Sequence, residues 1–202
     1  MIDERRSQRW KGGHARFSAR FIPPVAAGAA LVFAAVAVAA VITGTNGNDV
    51  IRGTNQADQI SALAGNDFVQ GERGNDEING GLGSDNLDGN RGADEINGGD
   101  GRDEPRGGPQ NDTLNGQNGR YNVDGQDGND TLNGNAGPDD LRDGKGADTF
   151  RGGAEADRVD ARDDGGGPGA ADTVICAGGD EVRADSNDNI VNPGQCGSVE
   201  RD

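Results

Sequence analysis

Aspartate recurs every ninth residue through more than half of this chain, and carboxylates at such a fixed spacing are candidate ligands for metal ions. Twelve of thirteen such positions are aspartate, namely Asp49, Asp58, Asp67, Asp76, Asp85, Asp94, Asp103, Asp112, Asp130, Asp139, Asp148 and Asp157. Tyr121 occupies the remaining position. Hard divalent cations such as Ca2+ prefer oxygen ligands, whereas zinc and copper favour His or Cys. No His or Cys lies in residues 44–160, so the pattern predicts sites for a hard cation.

These aspartates belong to a nine-residue repeat of the form Gly-x-x-Gly-x-Asp-x-apolar-x. It fills residues 44–160 in thirteen copies without insertion or deletion, as in residues 71–79 and 80–88. Glycine allows the first six residues to curl tightly, which turns carbonyl oxygens toward one point. The last three residues alternate polar, apolar and polar, which predicts a short strand with one inward side chain. Each repeat therefore predicts a turn followed by a strand.

A second period of eighteen residues indicates that two repeats form one coil of a solenoid. At the ninth place, alternate repeats carry Asn79, Asn97, Asn115 and Asn133. The intervening repeats alternate aspartate with arginine at that place over their last five copies. Like residues and opposite charges are expected to stack in this way when parallel strands lie ~4.8 Å apart.

The repeat resembles the glycine- and aspartate-rich nonapeptide of the RTX, or haemolysin-type, calcium-binding proteins. The resemblance covers residues 44–160 and implies an all-β fold, a right-handed parallel β-roll with two nonapeptides per coil. In that family calcium lies between same-side turns of successive coils, held by the sixth-place aspartates and turn carbonyls. Two rows of ligands follow. The even row is Asp58, Asp76, Asp94, Asp112, Asp130 and Asp148, and the odd row is Asp49, Asp67, Asp85, Asp103, Asp139 and Asp157.

The number of calcium ions follows from the gaps within these rows. Five gaps separate members of the even row, and four unimpaired gaps remain in the odd row, which Tyr121 interrupts. The sequence therefore predicts about nine Ca2+ ions. Carboxylates ~5 Å apart repel by about 3 kcal/mol per pair at an effective dielectric near 20. An empty row is therefore expected to be unstable, and metal binding is expected to drive folding.

Charge supports a cation as the partner of this region. Residues 41–202 hold 13 basic and 33 acidic residues, a net charge of 13 − 33 = −20. A glycine-rich acidic segment with few aromatics is expected to stay disordered until a cation condenses it. The same charge argues against nucleic acid or an anionic membrane surface as a partner.

The N-terminal segment, residues 1–40, has a different character. Basic residues precede an apolar run over residues 25–42, and residues 37–40 fit a small-residue cleavage site. The segment is predicted to be a helical export signal, or an uncleaved helix that anchors the chain in a membrane. The protein is accordingly expected to be secreted, or attached to the cell surface through this segment alone.

Residues 161–202 are predicted to form degenerate repeats that cap the solenoid. Aspartate followed by an apolar residue returns there at Asp172, Asp180 and Asp188. Cys176 and Cys196 are the only cysteines and lack the companions of a zinc site. In an exported protein such a pair is expected to form a disulfide, with two free thiols as the alternative.

Two classes of function compete with a calcium-ordered structural or cell-surface protein. An enzyme is not expected, because the sequence contains neither the HExxH zinc motif nor Gly-x-Ser-x-Gly, and its one histidine is His14. The alternative is an adhesin or recognition module, in which the flat ladder faces bind glycan, extracellular matrix or ice. The sequence names no such partner.

Overall fold

Two parallel β-sheets run the length of the described chain and alternate along the sequence. A computed structural model describes residues 31–33, 39–162 and 170–201. The fold is an all-β parallel β-solenoid of about nine turns. The ten-stranded sheet contains β1 Leu31–Phe33, β3 Val50–Arg52, β5 Phe68–Gln70, β7 Asn86–Asp88, β9 Glu104–Pro109, β11 Asn122–Asp127, β13 Asp140–Arg142, β15 Arg158–Ala161, β17 Glu181–Ala184 and β19 Ser198–Arg201. The nine-stranded sheet contains β2 Val41–Thr43, β4 Gln59–Ala64, β6 Glu77–Gly83, β8 Glu95–Gly101, β10 Thr113–Gly119, β12 Thr131–Ala136, β14 Thr149–Ala154, β16 Thr173–Ile175 and β18 Asn189–Val191.

Neighbouring strands of a sheet are one coil apart in sequence. In the nine-stranded sheet Thr113 pairs with Thr131, and Thr131 pairs with Thr149, each step being eighteen residues. In the other sheet Asp124 pairs with Arg142 at the same spacing. This register confirms the prediction that each coil contains two nonapeptides.

The core is a double column of eighth-place side chains. Most of these residues are fully buried, and they are Ile51, Ile60, Val69, Ile78, Leu87, Ile96, Leu114, Val123, Leu132, Leu141, Phe150 and Val159. Because the strands are short, one inward side chain per strand fills the space between the sheets. The column divides at the coil of Pro105, since Ile42 to Ile96 form one apolar cluster and Leu114 onward forms another.

The turns depend on glycine for two different reasons. At most fourth places the backbone is left-handed, as at Gly83 with φ 135°. First-place glycines such as Gly80 have ordinary φ but little room, because a Cβ on Gly80 would lie 2.5 Å from the Gly98 carbonyl oxygen and 2.7 Å from Asp85 Oδ2. At the second place, left-handed backbone is adopted even by Leu63, with φ 79°.

Both sheets continue past the last regular repeat. Beyond residues 163–169, which lie outside the described residues, β16 pairs with β14 and β17 pairs with β15. β18 and β19 add one further strand to each sheet, with a short 3-10 helix at Pro193–Gln195 between them. Cys176 and Cys196 form a disulfide, which confirms that predicted pairing.

The solenoid also begins earlier than the repeat frame. Strand β2 pairs in register with β4, and Ile42 is buried below Ile60 although no aspartate precedes it at the sixth place. Backbone atoms of β1 pair with β3. Residues 1–30 and 34–38, which include most of the predicted signal or anchor helix, lie outside the described residues. Among the residues that are described, no helix is long and apolar enough to cross a membrane.

Candidate metal centre

The sixth-place aspartates form two ladders along the turns of the solenoid. In the even row the Asp76 N–H donates to Asp94 Oδ1 at 2.7 Å, and the Asp94 N–H donates to Asp112 Oδ1 at 2.7 Å. In the odd row the Asp67 N–H donates to Asp85 Oδ1 at 2.8 Å. In these pairs, Oδ1 of each carboxylate accepts a hydrogen bond from the backbone of the preceding coil, and this bond fixes the carboxylate in the turn.

The second carboxylate oxygen of most members is buried without a partner. All twelve predicted ligands are at most 3% exposed. Among the described residues of the two rows, Oδ2 has no hydrogen-bond partner in Asp67, Asp76, Asp85, Asp94, Asp103, Asp112, Asp130, Asp139 and Asp157. An unpaired buried carboxylate oxygen is costly, and a bound cation is the kind of partner that removes this cost.

All the unpartnered oxygens except that of Asp67, whose repeat begins with Ala62, face a small cradle beneath the first-place glycine. The point where a Cβ of Gly71 would lie is 2.8 Å from the Gly89 carbonyl oxygen of the next coil and close to Asp76 Oδ2. The corresponding point at Gly80 lies between Asp85 Oδ2 and the Gly98 carbonyl. Carboxylate and carbonyl oxygens from successive coils therefore converge, which is a donor set suited to calcium.

The electrostatics of the rows disfavour negative charge when no cation is present. Burial, reinforced by Asp130 and Asp94, raises the pKa of Asp112 to about 8. Burial also raises the pKa of Asp103 to about 6, with Asp85 and Asp100 adding to the effect. At pH 7 Asp112 therefore favours a proton or a cation, whereas Asp103 is mostly ionised at that pH and is stabilised by a cation.

Two turns at the start of the repeats satisfy their carboxylates internally. The Thr45 N–H donates to Asp49 Oδ2 at 2.6 Å, and its hydroxyl lies 3.1 Å from Asp49 Oδ1. The Thr54 N–H donates to Asp58 Oδ2 at 2.5 Å, and its hydroxyl lies 3.0 Å from Asp58 Oδ1. A cation at either turn would compete with these threonine donors.

Tyr121 fills the place of a carboxylate with an aromatic ring. The side chain is 1% exposed, and its hydroxyl donates to the Gly99 carbonyl oxygen. Its Cε1 lies 2.9 Å from the Cβ point of Gly98, and its Cδ2 lies 2.6 Å from that of Gly116. The ring therefore occupies two successive cradles of the odd row. The sequence predicted that Tyr121 interrupts this row, and the structure shows that its ring takes up the space of the missing site.

The rows extend beyond the aspartates that the nine-residue frame selected as ligands. The Asp148 N–H donates to Asp172 Oδ1 at 2.9 Å, and the Asp172 N–H donates to Asp188 Oδ1 at 3.1 Å. The Asp157 N–H donates to Asp180 Oδ1 at 3.3 Å, which extends the odd row. The Asp-x-apolar pattern after residue 160 had identified these aspartates in the sequence. Because their spacing departs from nine residues, the sequence did not predict that they continue the rows.

A parallel β-solenoid with buried carboxylates stacked along its turns defines a class of cation-binding repeat proteins. Four copies of the family model for the RTX calcium-binding nonapeptide repeat match residues 43–78, 70–105, 106–132 and 124–159. The matched region exceeds half of the chain, so the chain belongs to the RTX calcium-binding repeat family. A comparison with curated proteins finds no match.

Family membership and fold together assign the general properties of this region. The chain contains an RTX calcium-binding β-roll with stacked aspartate ladders, and calcium ions are its implied partners. The RTX repeat is a structural calcium-binding module and does not define an enzyme. Together with the Cys176–Cys196 disulfide, these repeats indicate an extracellular protein.

Proposed function

We propose that this protein is an exported structural or cell-surface protein whose right-handed β-roll is ordered by Ca2+ bound between successive coils. The observation that carries the proposal is the series of buried, unpartnered Oδ2 atoms facing the glycine cradles. The ligands are the aspartates of the even and odd rows together with first-place carbonyl oxygens. For Asp49 and Asp58 the role requires displacement of Thr45 and Thr54.

Repulsion within each row explains why the ion is needed. Like charges recur at successive coils of both rows, except where Tyr121 interrupts the odd row. Surface ion pairs of the described residues involve other acids, as in Arg142 with Asp124 at 2.9 Å. A divalent ion between two coils converts this repulsion into a cross-link. Hydrogen bonds from the backbone already hold the carboxylates in place. The ion therefore has to neutralise their charge and does not have to move them.

A stoichiometry of about nine ions follows from the gaps within the two rows, and unpartnered oxygens along both rows support binding at many of them. Nine row members in the described residues have a free Oδ2. Nine divalent ions bring a charge of +18 against −20 for residues 41–202, so the loaded protein is expected to be nearly neutral. Equilibrium dialysis that returned two or three ions would instead assign the aspartates to turn formation.

Calcium titration followed by circular dichroism tests the proposal directly. The protein in chelator is expected to be expanded and poor in β signal, and Ca2+ is expected to restore both β signal and compactness cooperatively. Mg2+ serves as the matched control, because it dehydrates reluctantly and demands stricter octahedral geometry. A protein equally folded in chelator would remove the proposed role of calcium.

The N-terminal segment, residues 1–40, bears on where the protein acts. Cleavage of an export signal within residues 37–40 releases a secreted protein, and retention leaves it anchored. Mass spectrometry of the protein recovered from the producing cells distinguishes the two, because a mature chain beginning near Val41 has a different mass. Either outcome leaves calcium ordering unaffected.

The asparagine ladder favours recognition as a second candidate function. Asn115 Nδ2 donates to Asn97 Oδ1 at 3.0 Å, and Asn133 Nδ2 donates to Asn115 Oδ1 at 2.9 Å. A shallow groove beside this ladder is lined by further amides, including Gln117 and Asn118. Aligned amides suit the hydroxyls of a glycan. A glycan array probed with the calcium-loaded protein and with its Asn97→Ala/Asn115→Ala variant tests this function, because loss of binding at unchanged calcium content would support it.

A further inference from the structure

One repeat carries a carboxylate where nearly all others carry glycine. Asp143 occupies the first place of its repeat, a place that is glycine in eleven of thirteen copies. The backbone of Asp143 is not left-handed, so the residue fits without strain of that kind. What distinguishes it is a carboxylate side chain at a place where eleven of the thirteen repeats have glycine.

The side chain of Asp143 enters the cradle of the preceding even coil. Beneath Gly107 the cradle contains Asp112 Oδ2 and the Gly125 carbonyl oxygen, which lies 2.8 Å from the Cβ point. Beneath Gly125 the nearest atoms are Asp143 Oδ1 at 2.6 Å and Asp130 Oδ2 at 2.7 Å. A carboxyl oxygen thus stands where the regular cradle presents a backbone carbonyl oxygen.

Three carboxylates meet at this point. One ligand oxygen from each of Asp130, Asp143 and Asp148 lies within 4.8 Å of the others. Asp130 is 1% exposed, and its Oδ2, which has no hydrogen-bond partner, faces the cradle. Asp143 Oδ2 is likewise buried and unpartnered.

The neighbouring basic side chains do not neutralise this cluster. Arg142 Nη2 pairs with Asp124 Oδ2 at 2.9 Å, and Lys145 Nζ pairs with Asp127 Oδ1 at 3.2 Å. When all three carboxylates are ionised the cradle has a formal charge of −3, which a cation of high charge density offsets.

We propose that Asp130, Asp143 and Asp148 form a three-carboxylate Ca2+ site that binds more tightly than the regular sites of the roll. The proposal rests on the proposed calcium function and adds a side-chain ligand that the regular cradle lacks. Calcium affinity in proteins spans decades and depends on the number of charged ligands, so the third carboxylate is expected to tighten binding by roughly ten-fold or more. This site is then the first to fill as calcium rises.

Calcium binding measured in competition with a chelator of known affinity tests the site. The variants are Asp143→Asn, which keeps the shape and removes the charge, and Asp143→Gly, which restores the residue of the regular repeat. Asp127→Asn is the matched control, because it removes one charge from an exposed residue of the preceding coil. The full chain is used in each case, and circular dichroism in saturating calcium verifies that each variant folds.

The parent and Asp127→Asn are expected to show one site about ten-fold or more tighter than the remainder. In both Asp143 variants that site is expected to weaken into the range of the others. Identical isotherms for the parent and Asp143→Asn, with several ions bound to each, would overturn the three-carboxylate site but leave the calcium function standing. A parent that binds no calcium would overturn both.

Discussion

The turns at Asp58 and Asp94 have the same residue at the same place of the repeat, but their carboxylates have different surroundings. Both oxygens of Asp58 accept hydrogen bonds from Thr54, and its Oδ1 also accepts one from the Ala40 N–H. Asp94 has only the Asp76 N–H on Oδ1, and its Oδ2 has no partner. The second-place residue makes the difference, because threonine there can turn its N–H and hydroxyl toward the carboxylate. Aspartate at the sixth place of the repeat is therefore not sufficient to specify an ion site.

The odd row contains a third arrangement at Tyr121. Its ring fills two cradles, and its hydroxyl bonds to the Gly99 carbonyl, so apolar packing replaces ionic cross-linking at this coil. The coil next to it contains Pro105, where the apolar core divides into two clusters. Equivalent turns of one solenoid thus have three arrangements: a carboxylate bonded to threonine, a carboxylate with an unpartnered oxygen, and an aromatic ring. The stability of these turns is expected to depend on calcium to different degrees.

The largest expected effect is the difference in bound calcium between the Asp94→Ala and Asp58→Ala variants. Asp94→Ala removes an unpartnered oxygen from the middle of the even row, so we expect it to lose about two ions and most of the stabilisation by calcium in that segment. Asp58→Ala removes hydrogen bonds worth about 1 to 3 kcal/mol and is expected to lose fewer ions. Equilibrium dialysis and thermal unfolding in calcium measure both effects. Equal loss of ions from the two variants would contradict the distinction between these turns.

Tyr121→Asp is expected to exchange apolar packing for ion binding. We expect about two additional ions in calcium, because two cradles lose the ring and gain a carboxylate. In chelator the variant is expected to be less stable than the parent by roughly 3 kcal/mol, because a buried aromatic ring is lost. Tyr121→Phe is the control, since it keeps the ring and removes only the donor to Gly99. An unchanged ion count in Tyr121→Asp would show that the ring does not block these cradles.

Acidity is expected to replace calcium in part, and at different pH for different aspartates of the rows. The pKa of an aspartate in the unfolded chain is about 3.9, whereas the folded pKa is about 8 for Asp112 and about 6 for Asp103. The folded state therefore binds more protons between these values, so stability of the metal-free roll is present below pH ~4 and is lost as pH rises through 6 and then 8. Metal-depleted protein is expected to regain β signal on acidification.

Neutral variants check this dependence on pH. Asp112→Asn is expected to flatten the change in β signal near pH 8, and Asp103→Asn the change near pH 6. Circular dichroism of metal-depleted protein from pH 4 to 9 measures both. Metal-free protein that gains β signal as pH rises would have the opposite sign and contradict the assignment.

The smallest expected effect concerns the second place, where Thr54 and Leu63 differ in backbone conformation. Leu63 is left-handed with φ 79°, and its side chain is 40% exposed. Leu63→Gly relieves a strain of about 1 kcal/mol, partly offset by the greater entropy of the unfolded chain. We expect a net gain of roughly 0.5 kcal/mol in the free energy of unfolding. Leu82→Gly is the control, because Leu82 is exposed without left-handed backbone, and this variant is expected to gain nothing.

Much of the fold could be predicted because the repeat is local and periodic. The eighth-place apolar residues predicted the core, as at Leu114 and Leu132, and the eighteen-residue period predicted the pairing of Thr113 with Thr131. The pairing could not be predicted after residue 160, where the spacing of the aspartates is no longer nine residues. Asp148 and Asp172 are 24 residues apart but adjacent in the row, so the eighteen-residue period does not predict this neighbour.

The sequence by itself determined the solenoid, the two rows of aspartates and the calcium-binding family, since a hydrophobic and carboxylate pattern repeated in phase admits few other arrangements. Only the tertiary structure decided which carboxylate oxygens are satisfied. Thr54 reaches Asp58, Tyr121 fills two cradles, and Asp143 meets Asp130 from the next coil. These contacts depend on side-chain directions and on atoms one coil apart, and a nine-residue pattern specifies neither.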